Sequence, residues 1–290
     1  WGVTQPLAKI AVSEGYRPLG LIFWQLAIGA VVLGAVSLAR GKGLPFGRAQ
    51  LTMCAVIALI GTVIPNSASY EAVRHLPAGL ISILLSLVPM MAFPIALALR
   101  TDRFSGLRLL GLACGLGGVL LIVAPEASLP ERAMVAFIPL ALIAPAFYAL
   151  EGNVVARWGT AGLDPIQLLF GASVVGACLA FPLATATGQW IDPRPPYGPP
   201  DLALLLSALV HAVVYSVYVW LVGRAGAVFA AQVSYLVTGF GVLWAMALLG
   251  ESYSGWIWAA LALMFTGLFL VQPRRSTPLA PPRASGEDAA

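Results

Sequence analysis

Long apolar runs dominate the chain, and short stretches of proline, glycine and charged residues separate them. Because a helix needs about 20 apolar residues to cross the hydrocarbon core of a bilayer, each run predicts one membrane-spanning helix. We interpret the first run as truncated, since Trp1 already lies inside it and no basic leader precedes it. The pattern predicts an all-α polytopic membrane protein with ten transmembrane helices, at residues 1–13, 19–39, 49–71, 77–99, 105–123, 133–155, 165–187, 201–223, 228–249 and 255–272.

Composition narrows the possible functions. Hydrophobic residues make up 60% of the 290 residues and charged residues only 10%, so membrane takes up nearly all of the length. The net charge is +4, but the basic residues flank the apolar runs and form no stripe, which argues against a nucleic-acid partner. Cys54, Cys114 and Cys178 each stand alone within an apolar run, so the sequence indicates no disulfide, metal site or cofactor. It also lacks a Gly-x-x-x-x-Gly-Lys-Ser/Thr loop, which argues against an ATP-driven pump.

Basic residues are distributed unequally between the two sets of loops. One set carries 11 of them, namely Arg40, Lys42, Arg48, Arg100, Arg103, Arg108, Arg157, Arg224, Arg274, Arg275 and Arg283. The other set carries 4, namely Arg17, Arg74, Arg132 and Arg194. Since loops rich in arginine and lysine stay in the cytoplasm, we expect the first set and both termini to be cytoplasmic, in a cell inner membrane.

The two halves of the chain are similar in sequence. Phe104-Ser105-Gly106 recurs as Tyr253-Ser254-Gly255, and the same offset of 149 residues aligns Asp102 with Glu251. Each half holds five predicted helices, and because five is odd the second half must be inverted in the bilayer relative to the first. We therefore expect two inverted repeats and a disordered cytoplasmic tail, at residues 1–125, 133–273 and 274–290.

Polar side chains are concentrated on predicted helices 1, 3, 4, 6, 8 and 9, at spacings that place them on one face of each helix. Because polar groups are costly in hydrocarbon, we expect these faces to line a central cavity, with the other four helices as a scaffold. Ser and Thr can instead bond their own helix, and Tyr and Trp can anchor a helix at the interface. The candidate substrate-binding residues are Trp1, Gln5, Asn66, Tyr70, Ser82, Ser86, Tyr148, His211, Tyr215, Tyr218, Gln232, Tyr235 and Thr238.

Glu151 and His211 are the ionisable candidates for coupling transport to protons. The alternatives are that Glu151 extends toward the interface and that His211 only packs against its neighbours. An intramembrane enzyme would have to base its chemistry on these same two residues, and a passive channel for small solutes is a third possibility. We favour a carrier and expect no enzymatic activity.

Several features together resemble a known family. They are Trp1-Gly2 at the start of the first half, Pro89 within helix 4, the tandem repeat, and Leu-Gly-Glu-Ser-Tyr-Ser-Gly at 249–255 before the last helix. The chain resembles the EamA-type transporters of the drug/metabolite transporter superfamily over essentially its whole length. The resemblance implies ten helices with cytoplasmic termini and export of amino acids or other metabolites. Within the family the chain is most similar to bacterial amino-acid exporters, including exporters of aromatic amino acids. Asp102 departs from the pattern, which has a glutamate where the second half has Glu251.

The candidate cavity residues combine hydrogen-bonding groups with aromatic rings, and they include no arginine or lysine. A phosphate-bearing solute would require several such cations, whereas a small zwitterion with an apolar side chain would not. We therefore expect a secondary transporter that exports neutral or aromatic amino acids by alternating access. Its partners are then a small-molecule substrate and the lipid bilayer, and the sequence implies no particular oligomeric state.

Overall fold

The computed structural model describes residues 1–43, 47–125, 129–225 and 233–271, with the backbone alone for 218–225. The tail predicted at 274–290 lies outside the described residues. In the first half the α-helices are α1 (Thr4–Ser13), α2 (Pro18–Ala39), α3 (Arg48–Ala58), α4 (Ile64–His75), α5 (Ala78–Leu85), α6 (Val88–Ala98) and α7 (Gly106–Val123). In the second half they are α8 (Ile138–Trp158), α9 (Pro165–Ala186), α10 (Pro199–Ala225), α11 (Val233–Leu249) and α12 (Gly255–Val271).

Two further helical segments join these elements. A π-helical turn, Leu59–Val63, connects α3 to α4, and a 3₁₀ helix, Arg132–Phe137, leads into α8. The described part of the chain contains no β-strand. Seven of its helical segments are long and apolar enough to cross a membrane, and α11 and α12 are shorter apolar helices. The prediction of an all-helical, multi-pass membrane protein is therefore confirmed.

Two of the predicted spans are interrupted rather than continuous. In the third, the π-helical turn lies just before Pro65. In a regular α-helix the ring of Pro65 would clash with the carbonyl group of Gly61, and Pro65 has no N–H to donate to it. In the fourth, α5 ends at Leu85 and α6 begins at Val88, because Pro89 cannot donate to the carbonyl of Leu85. Both interrupted segments, Arg48–His75 and Ala78–Ala98, are still long and apolar enough to cross a membrane.

Close packing of the scaffold helices joins the two halves. The last helices of the halves, α7 and α12, pack along their length, and α2 packs against α9 in the same way. A methyl group at Gly111 would lie 2.7 Å from the carbonyl oxygen of Gly267, so the two backbones touch where side chains are absent. Such contacts matter in lipid, where helix association depends on packing rather than on removal of apolar surface from water.

The remaining helices pack across the halves. The first helix, α1, contacts α10 and α11 of the second half, while α8 contacts α4, α5 and α6 of the first half. Each half thus places its first helix between the third and fourth spans of the other half. This exchange brings together the six polar helix faces that the sequence analysis identified.

Candidate functional site

A cavity of about 910 Å³ lies among α1, α8 and the helices that these two contact in the other half. Its wall comes from α1, α2, α4, α5, α6, α8, α9, α10, α11 and the π-helical turn. Eleven of the residues singled out in the sequence line it, namely Trp1, Gln5, Asn66, Tyr70, Ser82, Ser86, Tyr148, Glu151, His211, Tyr215 and Thr238. The size suits a small organic molecule.

Three other candidates do not belong to this described lining. Tyr235 packs against the ring of Phe265, 5.5 Å away, because it lies on the side of α11 that faces α12. Its neighbours Ser234 and Thr238 face the cavity instead. The Tyr218 side chain and the whole of Gln232 lie outside the described residues.

Two tyrosine hydroxyls organise one side of the wall. The hydroxyl of Tyr148 donates to Oδ1 of Asn66 over 2.6 Å, which joins α8 to α4. The hydroxyl of Tyr70 donates to Oε1 of Gln25, which joins α4 to α2. Asn66 and Gln25 are both 9% exposed, so these bonds satisfy polar groups that water reaches poorly. The aromatic rings are thereby held in fixed positions against the cavity.

The cavity serines fit in part the alternative interpretation, in which a serine hydroxyl bonds the backbone of its own helix. Ser82 Oγ donates to the carbonyl of Ala78 and Ser86 Oγ to that of Ile83, so each hydroxyl bonds its own helix while its residue lines the cavity. Gln5 differs, because its Oε1 is buried without a hydrogen-bond partner among the described residues. Gln5 therefore lines the cavity with an acceptor that no described residue satisfies.

An aromatic group closes the wall between α1 and α10. The ring of Trp1 lies 6.0 Å from that of His211 and 6.2 Å from that of Tyr215, with tilted and edge-on geometry. These distances are typical of favourable aromatic contacts. His211 is exposed and lines the cavity, so its ring forms part of the surface offered to a solute.

Glu151 contributes the formal negative charge of the described lining. A methyl group at Gly61 would lie only 2.5 Å from Oε1 of Glu151, so the carboxylate occupies the space beside the π-helical turn that a side chain would fill. No lysine or arginine side chain lines the cavity in the described part of the chain. Nor do three or more His, Cys, Asp or Glu side chains come together there as a metal cluster.

Sequence reasoning missed some lining residues. Gln25 was assigned to the scaffold because it stands alone in an apolar span, and an isolated polar residue gives no periodic signal. Ser207 was detectable, since it lies four residues before His211 and eight before Tyr215 on the same face of α10. Gly61 carries no side chain, and its role depends on its neighbour in another helix.

One end of the helix bundle, which we call the arginine-poor end, contains residues 14–17, 76–79, 187–201 and 250–254. Here Lys9 Nζ donates to the carbonyls of Val73, Arg74 and Leu76 over 2.7, 3.3 and 3.2 Å, capping the C-terminus of α4. Lys9 is therefore engaged at the end of a helix, and it does not line the cavity.

Glu251 caps the following helix at the same end. Its carboxylate accepts hydrogen bonds from the backbone N–H groups of Ala78 and Gly79, over 2.7 and 3.1 Å, and from the hydroxyl of Tyr253. Negative charge is favourable at the N-terminus of a helix. Burial, together with the bond to Glu251, raises the pKa of Tyr253. Because Glu251 belongs to the second half and α5 to the first, these bonds tie the halves together.

A second contact between the halves lies nearby. Tyr16 donates to Oδ1 of Asp201 over 2.5 Å, and burial and this bond raise the pKa of Tyr16 to about 12. Tyr16 therefore remains a hydroxyl donor at every physiological pH. The backbone N–H of Leu19 also donates to Oε1 of Gln189. Hydrogen bonds thus connect the two halves at several points of the arginine-poor end.

At the opposite end of the bundle, which we call the arginine-rich end, ion pairs between scaffold segments join the two halves. Asp164, before α9, pairs with Lys42 at 2.8 Å and Arg40 at 3.3 Å. Partial burial opposes ionisation of Asp164, but hydrogen bonds from Lys42, the Gln167 backbone and Arg40 outweigh it and lower the pKa to about 2. Asp102, the repeat counterpart of Glu251, binds Arg108 and the N–H of Arg103 locally. The two ends are therefore built differently.

Comparison with known proteins fits this architecture. A model of the EamA-like transporter family matches the chain twice, over residues 1–124 and 136–272. The chain belongs to the EamA-like transporter family. The resemblance seen in the sequence is thereby confirmed, and this EamA-like chain is a membrane transporter of small solutes in a family of transporters rather than enzymes.

The fold is also found among solved structures. One of them, described as "Crystal structure of protein", matches with a TM-score of 0.61 and 18% identity over 93% of the EamA-like chain and 95% of its own. At that identity the likeness shows a shared fold and nothing about a substrate. A search of curated proteins finds no match.

Proposed function

We propose that this transporter exports neutral, and in particular aromatic, amino acids. The observation that carries the proposal is the composition of the cavity wall. It combines amide and hydroxyl groups with aromatic rings, and its described part contains one carboxylate and no lysine or arginine. Such a wall suits a small zwitterion with an apolar side chain, whereas a phosphorylated solute would meet no fixed cation.

The proposed architecture has ten transmembrane helices in two inverted repeats, at 1–125 and 133–273. The seven span-length segments, the shorter α11 and α12, and α1 add up to this number. The two family matches and the exchange of α1 and α8 between the halves support a repeat. Each half then has five spans, which inverts the second relative to the first.

The proposed orientation places both termini in the cytoplasm of a bacterial cell, with the protein in the inner membrane. It rests on the 11 basic residues of one set of loops against the 4 of the other. The arginine-rich end then faces the cytoplasm, and the arginine-poor end faces outward.

Alternating access is the mechanism that we propose for export. In this mechanism the contacts of Glu251 and Tyr16, which join the two halves at the arginine-poor end, break when that end opens. The π-helical turn before Pro65 and the gap between α5 and α6 are places where a helix can bend at low cost. Facilitated efflux down the substrate gradient needs no coupling ion, and a coupled mechanism would use Glu151 or His211.

Counterflow in proteoliposomes tests the proposal. Purified protein is expected to exchange labelled phenylalanine or leucine for unlabelled amino acid. His211→Ala and Tyr215→Ala are expected to lower the exchange rate by about tenfold, because each removes aromatic surface from the cavity wall. Ser173→Ala, a buried change between α9 and α2, is the matched control and should leave the rate within about twofold.

Other outcomes of the counterflow assay would refute the proposed amino-acid export. Exchange of a different metabolite class, without any amino acid, would refute the substrate while leaving the carrier intact. Flux without exchange would indicate a channel, and chemical conversion of the solute would indicate an intramembrane enzyme.

A further inference from the structure

The acidic side chain in the cavity wall has no counter-charge in the described part of the chain. Glu151 lines the cavity from α8, and its carboxylate makes no hydrogen bond or ion pair with any described residue. An ionised carboxylate that is partly removed from water and left unpaired is costly. A charge in that position is consistent with a partner that comes from outside the chain.

The other polar groups on this part of α8 are already satisfied. Tyr148 binds Asn66, and Nδ2 of Asn153 donates to the carbonyls of Ala92 and Ala149 over 3.1 and 2.8 Å. Glu151 lies between these two residues on the helix and is not used in this packing. Hydrogen bonds within the chain therefore explain the positions of Tyr148 and Asn153 but not the position of Glu151.

The basic side chains of α1 and α8 are engaged elsewhere. Lys9 of α1 caps the carbonyls at the end of α4. Arg157 lies over the ring of Trp158 at 5.9 Å, at the end of α8. Neither cation forms a salt bridge with Glu151.

The carboxylate lies beside a second potential acceptor. Glu151 Oε1 occupies the space next to Gly61, within the π-helical turn. Pro65 has no N–H to donate to the carbonyl of Gly61, four residues before it. An ammonium group carries three N–H donors and one positive charge, so a carboxylate next to a backbone carbonyl, which has two lone pairs, suits it.

We propose that Glu151 binds the ammonium group of the transported molecule, beside the backbone of Gly61. This inference rests on the proposed function and narrows it, because the substrate must then carry a primary amine. An ammonium–carboxylate pair formed away from bulk water discriminates strongly against a molecule that lacks the amine, since that molecule leaves the carboxylate unpaired.

Competition in the counterflow assay measures this discrimination. Labelled phenylalanine is exchanged in the presence of unlabelled phenylalanine or of 3-phenylpropanoate, in which a hydrogen replaces the amine. With the wild-type protein, phenylalanine should compete at least about tenfold better. Glu151→Gln should reduce this preference to about twofold or less, whereas Glu151→Asp, which keeps the charge, should retain most of it. Glu71→Gln is the matched control, because Glu71 pairs with Arg74 and His75 outside the cavity.

The outcomes separate the two proposals. If the wild type exchanges phenylalanine and Glu151→Gln keeps the full preference for the amine, the ammonium site is refuted and the exporter stands. Loss of proton movement with an unchanged amine preference would equally refute it, in favour of a proton site. If the wild type exchanges amines other than amino acids and Glu151→Gln abolishes that preference, the amino-acid proposal fails and the ammonium site stands. Exchange of amine-free solutes alone refutes both.

Discussion

At the scale of single residues, the absence of a side chain at Gly61 leaves space for the one carboxylate of the described cavity wall. Gly61 has no Cβ, and the Glu151 carboxylate occupies that space against the π-helical turn. The neighbouring hydroxyls of Tyr148 and Tyr70 are tied to amides, so they hold the wall rather than change its charge. Gly61 therefore acts on the site through the position of Glu151.

Gly61→Ala tests this dependence. The added methyl would lie 2.5 Å from Oε1 of Glu151 and must displace the flexible carboxylate. We expect the preference for phenylalanine over 3-phenylpropanoate to fall by about fivefold or more, as judged by competition in counterflow. In a Glu151→Gln background the same change should have little further effect, because the two residues act through one interaction.

Gly152→Ala is the control for this substitution. Gly152 also lines the cavity, but a methyl group there meets nothing within 4 Å. Its amine preference should equal that of the wild type. An equal loss in both glycine variants would show that the effect of Gly61→Ala comes from added bulk in the cavity rather than from Glu151.

At the scale of secondary-structure elements, two charged side chains cap the helix ends that meet at residues 75–78. Lys9 binds the last carbonyls of α4, and Glu251 binds the first N–H groups of α5. Opposite charges thus stabilise the two helix ends that meet at 75–78, each in the favourable direction of the helix dipole. Because Glu251 comes from the other half, this cap also joins the two halves.

Glu251→Gln should loosen the cap on α5. The neutral amide is a weaker acceptor for the N–H groups of Ala78 and Gly79, and bonds to a charged group contribute about 1.5–3 kcal/mol each. We expect the amides of residues 76–82 to exchange with deuterium roughly tenfold faster in the purified protein, as measured by mass spectrometry. Asp102→Asn is the control, since Asp102 binds only Arg108 and Arg103 among the described residues. Unchanged protection in Glu251→Gln would mean that the cap does not hold α5.

At the scale of the whole molecule, the helix contacts between the halves are of two kinds. The pairs α2–α9 and α7–α12 pack tightly through glycines and small residues, which makes them suitable as a fixed frame. The exchanged helices α1 and α8 contact the other half across the cavity. A movement of the cavity helices relative to this frame would change the cavity wall while leaving the frame intact.

The proposed orientation makes a prediction at this scale. A reporter enzyme fused after Pro273 should be active only if it functions in the cytoplasm, and a reporter in the loop at 187–198 only if it functions in the periplasm. The reason is the excess of arginine and lysine in the loops on the side of Pro273. Periplasmic activity of the fusion after Pro273 would refute the topology.

The sequence alone determined the class of the protein and eleven of the polar and aromatic residues that face its cavity. Apolar runs of span length leave no soluble alternative, and polar residues at helical spacing can avoid lipid only by facing inward, so eleven candidates line one cavity. The family was also recognisable, because the repeat and its short motifs are local features of the chain. The tertiary structure alone decided the rest. Gln25 at the wall, Gly61 beside Glu151, and Glu251 on the end of α5 depend on contacts between residues 45 to 173 positions apart. Periodicity within one helix carries no information about which neighbour its other faces meet, and the exchange of α1 and α8 between halves is what sets those neighbours.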